Sequence, residues 1–284
     1  MVGVSSPAYA RSGDESVKYW NFFPIFFKHW ALIGQFLRRD IAGRYKGTTL
    51  GPFLSLLVPI LMLAIYTFVF GGILKSRFGY SPNEGVYDFG LGLFCGLNLF
   101  NFLAEVVTRS PSLILQYPNY VKKVVFPLEI FPITTVGAAL FHYLIANIPL
   151  VIGFVIVDHR LPFGFIWLFI ISVPLVLIAL GVSWILAALG VFVRDISALL
   201  PPALTIIMFG SAIFYPISAA PAVAQRILGL NPLALLVDTA RQALFLNRPP
   251  GLFGFSMLAL LGLFLAAAGY AFFLKAKPAF ADVI

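Results

Sequence analysis

The stretch that decides the fold is a basic cluster followed at once by a long apolar run: Arg38-Arg39-Asp40-Ile41-Ala42-Gly43-Arg44-Tyr45-Lys46-Gly47-Thr48-Thr49-Leu50, and then Gly51 to Leu74. Four cations stand within nine residues, and no charge follows them before Lys75. About 20 apolar residues of helix cross the hydrocarbon core of a bilayer, and Lys and Arg keep the flanking end on the cytoplasmic side. The stretch therefore predicts a membrane span that starts at the cytoplasmic surface.

The composition of the whole chain is typical of a membrane protein. Of its 284 residues, 61% are hydrophobic and 11% are charged, whereas soluble domains have about 25% charged residues. The formal charge of +8 is not gathered on a soluble module, which favours anionic lipid over nucleic acid as its counter-charge. The single cysteine, Cys95, excludes an intrachain disulfide and makes a thiolate metal site implausible.

The apolar runs predict an all-α integral membrane protein with six transmembrane helices. Residues 1–19 are polar and predict a disordered cytoplasmic tail without a cleavable signal peptide, and residues 20–284 form the transmembrane domain. With the N-terminus inside, 13 of the 19 Lys and Arg residues fall on inner segments, so both termini are expected in the cytoplasm. The predicted spans are about 51–74, 87–107, 128–157, 163–193, 196–217 and 252–274.

Residues 26–41 predict a two-sided helix before the first span. Its apolar side holds Phe26, Trp30, Ile33, Leu37 and Ile41. The opposite side is polar and holds Lys28, Gln35 and Arg39, with Arg38 at its edge. This pattern favours a helix that lies in the headgroup layer of the membrane, and the alternative is a helix packed on the protein itself.

Two connections between the spans are predicted to have structure of their own. The inner connection, residues 109–127, has a proline near each end and a Lys pair, which predicts a short amphipathic cytoplasmic element. The outer segment, residues 216–250, is mostly apolar but is broken at Asn231-Pro232. It predicts two short helices, each too short to cross the membrane, that are re-entrant or lie on the outer face.

No catalytic constellation is recognisable in the chain. A phosphate-binding loop is absent, because no Gly is followed by Lys, so any ATP hydrolysis is expected in another chain. The three histidines are far apart in the sequence and lack metal-ligand spacing. We therefore expect no catalytic residue, metal or cofactor in this chain.

Ionisable groups inside spans are the usual marks of ion-coupled transport, and here they are few. Glu105 precedes Arg109 by four residues, the favourable order for an ion pair on a helix. A structural role for this pair is favoured over a proton relay, because both residues lie near the cytoplasmic end of their span. His142 lies deeper, and we interpret it as an interior histidine with its hydrogen bonds satisfied.

Two groups of residues are candidates for contact with a transported molecule. The cluster of Arg38, Arg39, Arg44 and Lys46 either sets topology by attracting anionic lipid or binds a diphosphate, to which Arg makes bidentate bonds; the sequence leaves both interpretations open. Aromatic faces suit sugar rings, although lipid contact accounts for most aromatic residues of a membrane protein. The aromatic residues that crowd the first and fifth spans, and would line a conduit, are Phe53, Tyr66, Phe68, Phe70, Phe209, Phe214 and Tyr215.

A series of motifs follows in order along the chain: Arg39-Asp40-Ile41, Arg44-Tyr45-Lys46-Gly47, Leu50-Gly51-Pro52, Tyr66-Thr67-Phe68-Val69-Phe70-Gly71, Val124-Val125-Phe126-Pro127-Leu128-Glu129-Ile130, Val193-Arg194-Asp195-Ile196, Phe214-Tyr215-Pro216 and Leu230-Asn231-Pro232. Together they resemble the permeases of polysaccharide ABC exporters, which are of the ABC-2 type. The resemblance implies a non-catalytic permease that forms a homodimer in the bacterial inner membrane. It also implies two copies of a separate ATPase, which hold the ATP and Mg²⁺, and a polysaccharide cargo linked to undecaprenyl diphosphate.

The resemblance also implies roles for particular segments. Tyr117, Pro118, Tyr120, Lys122 and Lys123 would form the coupling helix that is seated in the ATPase. The amphipathic helix would be an interface helix, residues 219–247 would be the outer gate helices, and the first and fifth spans would line the conduit.

O-antigen is the favoured cargo within this class, because the apolar third span and the compact outer loops look most like that branch. Capsular polysaccharide, teichoic acid and a small hydrophobic drug are the alternatives. An ion-driven secondary carrier would predict buried paired charges and an internal repeat, and the sequence makes neither visible. A membrane scaffold would transport nothing.

Overall fold

A computed structural model gives the architecture, and within the residues that it describes every regular element is helical, as predicted. Among the described residues, five helices are long and apolar enough to cross a membrane. The predicted tail, residues 1–19, lies outside the described residues, and so do Lys46 and Lys123. The described ranges are 22–45, 51–80, 84–122, 126–158 and 163–284.

Two helices precede the first span, α1 (Phe23–Lys28) and α2 (Trp30–Tyr45). Within the predicted apolar face of α2, Ile33 is buried and Leu37 contacts Gly137, whereas Trp30 is 73% exposed. The helix therefore packs along one edge on the protein and leaves its first turn exposed.

The first predicted span consists of α3 (Gly51–Tyr66) and a π-helical continuation, Thr67–Ile73. Of the residues from Leu56 to Ile73, 6% are buried, against 83% of an apolar 18-residue stretch of the next span, which contains α4 (Val86–Arg109). The two spans meet closely at Gly90, where a Cβ atom would lie 2.0 Å from the Thr67 hydroxyl oxygen. The central helix of the fold is therefore α4.

Three more long helices follow: α6 (Ile130–Asp158) and α7 (Gly164–Phe192) pack on α4, and α11 (Leu252–Ala276) packs on α7. Two glycines bring α7 and α11 together, because a Cβ atom on Gly269 would lie 2.2 Å from the carbonyl oxygen of Gly181. Small residues at such crossings let the backbones of membrane helices approach closely.

The predicted fifth span is shorter as a helix than its apolar run. The helix α8 (Ile196–Phe209) has 14 residues, which is about 21 Å of helix and less than the roughly 30 Å hydrocarbon core. The chain bends after α8, with Ala212 at a φ of 51°.

The two short helices that the sequence predicts in residues 216–250 are present as α9 (Ala222–Leu228) and α10 (Pro232–Leu246). We call them the outer helices after the side of the membrane on which they are predicted to lie. Asn231 links them to α8. Its side-chain oxygen accepts a hydrogen bond from the backbone N–H of Leu233 at 2.9 Å, and its amide nitrogen donates to the carbonyl oxygen of Gly210 at 2.7 Å. One residue thus caps α10 and holds the end of α8.

The predicted inner element is a 3₁₀ turn at Ser110–Ser112, followed by the short helix α5 (Pro118–Lys122). The turn packs against α7 at Gly190, where a Cβ atom would lie 2.1 Å from the Pro111 carbonyl oxygen. After α11, a turn at residues 277–279 leads into the last helix, α12 (Phe280–Val283).

Candidate functional site

A cleft of about 1120 Å³ lies between α2, α3, α4 and α6. Its apolar wall includes Val58, Met62, Phe94, Leu97 and Phe102. Its charged end consists of Asp40, Arg44, Glu105, Arg109 and His142. Because an apolar wall and a charged end occur in one concave surface, the cleft suits an amphiphile with an ionic head.

Glu105 is the centre of the charged end. Its carboxylate accepts a hydrogen bond from Arg44 Nη1 at 2.5 Å and lies 3.4 Å from Arg109 Nη1, and His142 Nδ1 is 2.9 Å away. The side chains of Glu105 and His142 are 17% and 13% exposed, whereas that of Arg44 is 53% exposed. The Glu105–Arg109 pair predicted from the sequence is confirmed, as one contact of a larger cluster.

The charged end joins three helices. Asp40 and Arg44 stand one turn apart on α2, and Glu105 and Arg109 stand one turn apart on α4. Arg109 also donates to Asp40 Oδ1, and His142 adds a contact from α6. The two carboxylates and the two guanidinium groups cancel in formal charge. An anion that binds here must therefore compete with a carboxylate for an arginine.

A polar stripe extends the charged end along α4. Asn98, Asn101, Glu105 and Thr108 all line the cleft, and their spacing of three, four and three residues puts them on one helical face. Asn98 donates from Nδ2 to the carbonyl oxygen of Ala146 at 3.1 Å. The sequence analysis missed Asn98, Asn101 and Thr108, although the helical period of polar residues in an apolar span was visible.

The structure separates the members of the predicted basic cluster. Arg44 lies on the cleft. Arg38 and Arg39 are exposed on α2, and the guanidinium carbon of Arg39 lies 5.0 Å from the ring centroid of Tyr117. Lys46 lies outside the described residues. Of the cluster's described members, Arg44 is the one that joins the charged end.

The predicted conduit residues are dispersed over the chain. Tyr66 lines the cleft. The side chains that are more than half exposed are Phe53, Phe68 and Phe209. Phe70 and Phe214 pack on each other with ring centroids 5.6 Å apart, and Tyr215 donates its hydroxyl to the carbonyl oxygen of Phe209 at 2.8 Å. The conduit lining stays a prediction.

Two of the predicted coupling residues, Tyr117 and Tyr120, belong to an aromatic cluster between α2 and the start of α6. Tyr117 stacks on Phe131 with ring centroids 4.7 Å apart, and Tyr120 meets Phe36 edge-on at 5.9 Å. The exposed coupling residues are Pro118 and Lys122. The cluster connects α5 mechanically to α2 and α6, whereas the role of α5 in coupling stays a prediction.

A buried arginine, missed by the sequence analysis, holds α10 to α4 and to the bend after α8. Arg241 of α10 is 2% exposed. It donates from Nε to the carbonyl oxygen of Gly92 at 2.9 Å, from Nη1 to that of Ala212 at 3.0 Å and from Nη2 to that of Ile213 at 2.5 Å. From the sequence, Arg241 is one of the cations of the outer segment, residues 216–250, and its burial was not predicted.

Tyr80 and Asp238 interact with Arg241, and both belong to a small hydrogen-bonded group. The Tyr80 hydroxyl donates to Asp238 Oδ1 at 2.9 Å, and Gln242 Nε2 donates to Asp238 Oδ2 at 2.7 Å. Burial, together with the nearby Asp238 carboxylate, raises the pKa of Tyr80 above its ordinary value. The hydroxyl therefore keeps its proton and its hydrogen bond.

Comparisons with known proteins identify relatives of this chain. The chain is 28% identical over 249 residues to the O-antigen export system permease protein RfbA of Klebsiella pneumoniae. The aligned region covers 87% of this chain and 92% of that protein. A second Klebsiella pneumoniae protein of the same name is 28% identical over 248 residues, with the same coverage. The protein of that name from Myxococcus xanthus is 24% identical over 261 residues, covering 91% of this chain and 97% of its own length.

A family profile matches most of the chain. The profile of the ABC-2 type transporter matches residues 31–245, which include α3, α4, α6 and α7 and the outer helices. With five apolar helices of spanning length, this multi-pass membrane protein belongs to the ABC-2 type transporter family.

Proposed function

We propose that this chain is the permease subunit of an ATP-driven exporter, and that its cargo is a polysaccharide of the O-antigen type carried on undecaprenyl diphosphate. The observation that carries the proposal is the cleft, because its charged end and its apolar wall match the two halves of a lipid diphosphate. The relatives named as O-antigen export permeases support the choice of cargo.

The diphosphate would bind at Arg44, whose guanidinium can offer paired N–H donors to phosphate oxygens. Arg38, Arg39 and Lys46 would draw the anionic head toward the cleft, since a cation near a membrane surface attracts anionic lipid by about 1 kcal/mol. The apolar wall would contact the prenyl chain, because burial of apolar surface is favourable.

The sugars nearest the diphosphate would follow the polar stripe on α4. Asn98, Asn101 and Thr108 offer hydrogen-bonding groups, and Tyr66 offers an aromatic face at the same cleft. The remaining predicted conduit residues would be assembled when two copies of the chain meet. The sparse burial of α3 supports a homodimer interface on that helix, since exposed apolar faces mark association or lipid contact.

The energy would come from two copies of a separate ATPase, which would hold the ATP and Mg²⁺. Its closure would push on α5 through Lys122 and the adjoining aromatic cluster. In the bacterial inner membrane, with both termini in the cytoplasm, α8 and the bend after it would complete a sixth span, and α9 and α10 would form the outer gate.

Transport in reconstituted vesicles tests the proposal. The permease, its ATPase and a labelled lipid-linked O-antigen would be placed in one membrane, and glycan reaching the other side would be measured. Glycan movement that needs ATP and both proteins is the expected result. Movement without the ATPase, or ATP hydrolysis without any movement, would contradict it.

The charged end also fits a second function, proton-coupled transport. The sequence made no buried paired charges visible, yet the structure places Glu105 within 2.9 Å of His142 inside a span, and such groups are common in proton relays. Family membership favours the ATP-driven function. Transport that persists without nucleotide and stops when the proton gradient is dissipated would favour the second.

A further inference from the structure

We infer that Glu105 competes with the phosphate group of the cargo for Arg44, so that cargo binding is an exchange of one anion for another. The inference rests on the proposed function and deepens it, because it names the residue that sets the affinity of that site. The chemical group that Arg44 would recognise is a phosphate, and the lipid diphosphate of the cargo would supply it.

Arg44 is the arginine of the charged end that is suited to exchange. Its side chain is 53% exposed, and its contact with a carboxylate is made by Nη1 to Glu105. Arg109 is 34% exposed and contacts two carboxylates, those of Asp40 and Glu105. Because Arg109 is held from two sides, a phosphate oxygen meets less competition at Arg44.

Glu105 can give up Arg44 without losing all of its partners. His142 Nδ1 lies 2.9 Å from Oε1 and 3.2 Å from Oε2, and Arg109 Nη1 lies 3.4 Å from Oε1. A partly buried carboxylate left with no partner would be costly. The contacts to His142 and Arg109 remove that cost, so the exchange is close to balanced.

The exchange also provides selectivity. Because the formal charges of the cluster cancel, an uncharged lipid has nothing to offer Arg44 in return for Glu105. A diphosphate replaces one charge-assisted hydrogen bond by another of similar strength. The cleft would thus reject neutral prenyl lipids by the carboxylate that is already in place.

The test is a binding titration by native mass spectrometry on the permease–ATPase complex, with undecaprenyl diphosphate as the probe. Glu105→Gln removes the competing charge and is expected to tighten binding about two- to fivefold, the size of one half-exposed ion pair. Arg44→Gln is expected to weaken binding. The double variant is expected to bind no tighter than Arg44→Gln alone, because the gain acts through Arg44.

Matched controls separate competition from a general change of charge or folding. Glu129 does not line the cleft. Its side chain is 14% exposed, and its carboxylate lies 2.7 Å from Lys277 Nζ, so Glu129→Gln is expected to leave the affinity for the lipid unchanged. Glu105→Asp keeps the charge but shortens the reach to Arg44, and it is expected to give a smaller gain. It also replaces Glu105→Gln should that variant fail to fold.

The outcomes distinguish the inference from the function on which it rests. Wild-type binding with no gain in either Glu105 variant, or a gain that persists without Arg44, overturns the inference and leaves the proposed function standing. Soluble pyrophosphate that binds as tightly as the lipid, with the same gain in Glu105→Gln, supports the exchange but overturns the lipid as its ligand. No binding by the wild type of either probe overturns both.

Discussion

Arg44 and Arg241 are two arginines with opposite surroundings. The Arg44 side chain is 53% exposed and shares a carboxylate with two other groups. Arg241 is 2% exposed and donates to three backbone carbonyl groups, which are fixed in place by the fold. The first arrangement permits exchange with a ligand, and the second fixes helices to each other. At the scale of single residues, burial and the kind of partner therefore separate a binding role from a structural one.

Replacing Arg241 by Met is expected to destabilise the protein by about 3 kcal/mol, because it leaves buried carbonyl groups without a donor. Thermal unfolding in detergent, with limited proteolysis between α8 and α9, is the measurement. Arg226→Met on α9 is the control, since Arg226 is exposed and its loss should change little. Equal stability of the two variants would contradict the assignment.

A pair of substitutions separates the two interpretations of the basic cluster. Arg44→Gln is expected to lower transport at least about tenfold, the loss of a charge-assisted phosphate contact. Arg38→Gln, on the exposed side of α2, removes one cation that attracts the anionic head and is expected to lower the rate by less than about fivefold. If instead both variants lose transport and are also inserted incorrectly in the membrane, the cluster acts through topology. The phosphate-binding role of Arg44 is then wrong.

At the scale of helices, the crossing of α7 and α11 depends on glycine. Gly181→Val is expected to destabilise the protein by about 1–3 kcal/mol, because a Cβ atom there would lie 2.3 Å from the Leu265 carbonyl oxygen. The matched control is Gly254→Val on α11, where a Cβ atom meets no heavy atom within 4 Å. If the unfolding temperature falls equally in both variants, the cause is the helix propensity of valine and not the close packing of α7 on α11.

Lys122 on α5 tests the coupling element. Lys122→Glu is expected to uncouple ATP hydrolysis from glycan export while insertion and hydrolysis continue. The control is Lys275→Glu, which reverses the charge of another exposed lysine, near the end of α11. Hydrolysis and export would be measured on the same vesicles. Normal export by Lys122→Glu would remove α5 from the coupling path.

The helices illustrate what a single sequence can and cannot predict. Hydropathy predicted α4 as 87–107, close to Val86–Arg109, because charged and turn residues flank it. It extended α8 to 217, whereas the helix ends at Phe209, because the apolar run continues through the bend. That bend is held by Asn231 and Arg241, whose bonds to residues 210–213 span 20 to 29 positions. Such distant partners leave no local signal.

At the scale of the whole molecule, α4 connects the outer helices to the charged end. Arg241 contacts it at Gly92 and Arg44 contacts it at Glu105, 13 residues apart and thus about 20 Å along the helix. The helix then runs directly into the inner turn at Ser110–Ser112. A push on that turn would therefore reach both the cleft and the outer segment through one helix.

The charged end could be predicted only in part. Glu105 and Arg109 share one helix and were predicted as a pair from their spacing. Arg44 and His142 stand 61 and 37 positions from Glu105, and only the packing of α2 on α6 and of α6 on α4 brings them together. Similarly, the conduit residues were chosen by residue type, but type alone does not say which side of a helix faces a cleft.

The most direct test of the central claim is site-specific photo-crosslinking during transport. A photoreactive residue would replace Asn101, which is exposed within the cleft, and in a second variant Phe264, which is 62% exposed on α11. We predict that the Asn101 variant forms an adduct with the labelled lipid-linked glycan, and that ATP turnover by the partner ATPase depletes it. An adduct at Phe264 of equal strength, or none at Asn101, would contradict the cleft as the cargo site.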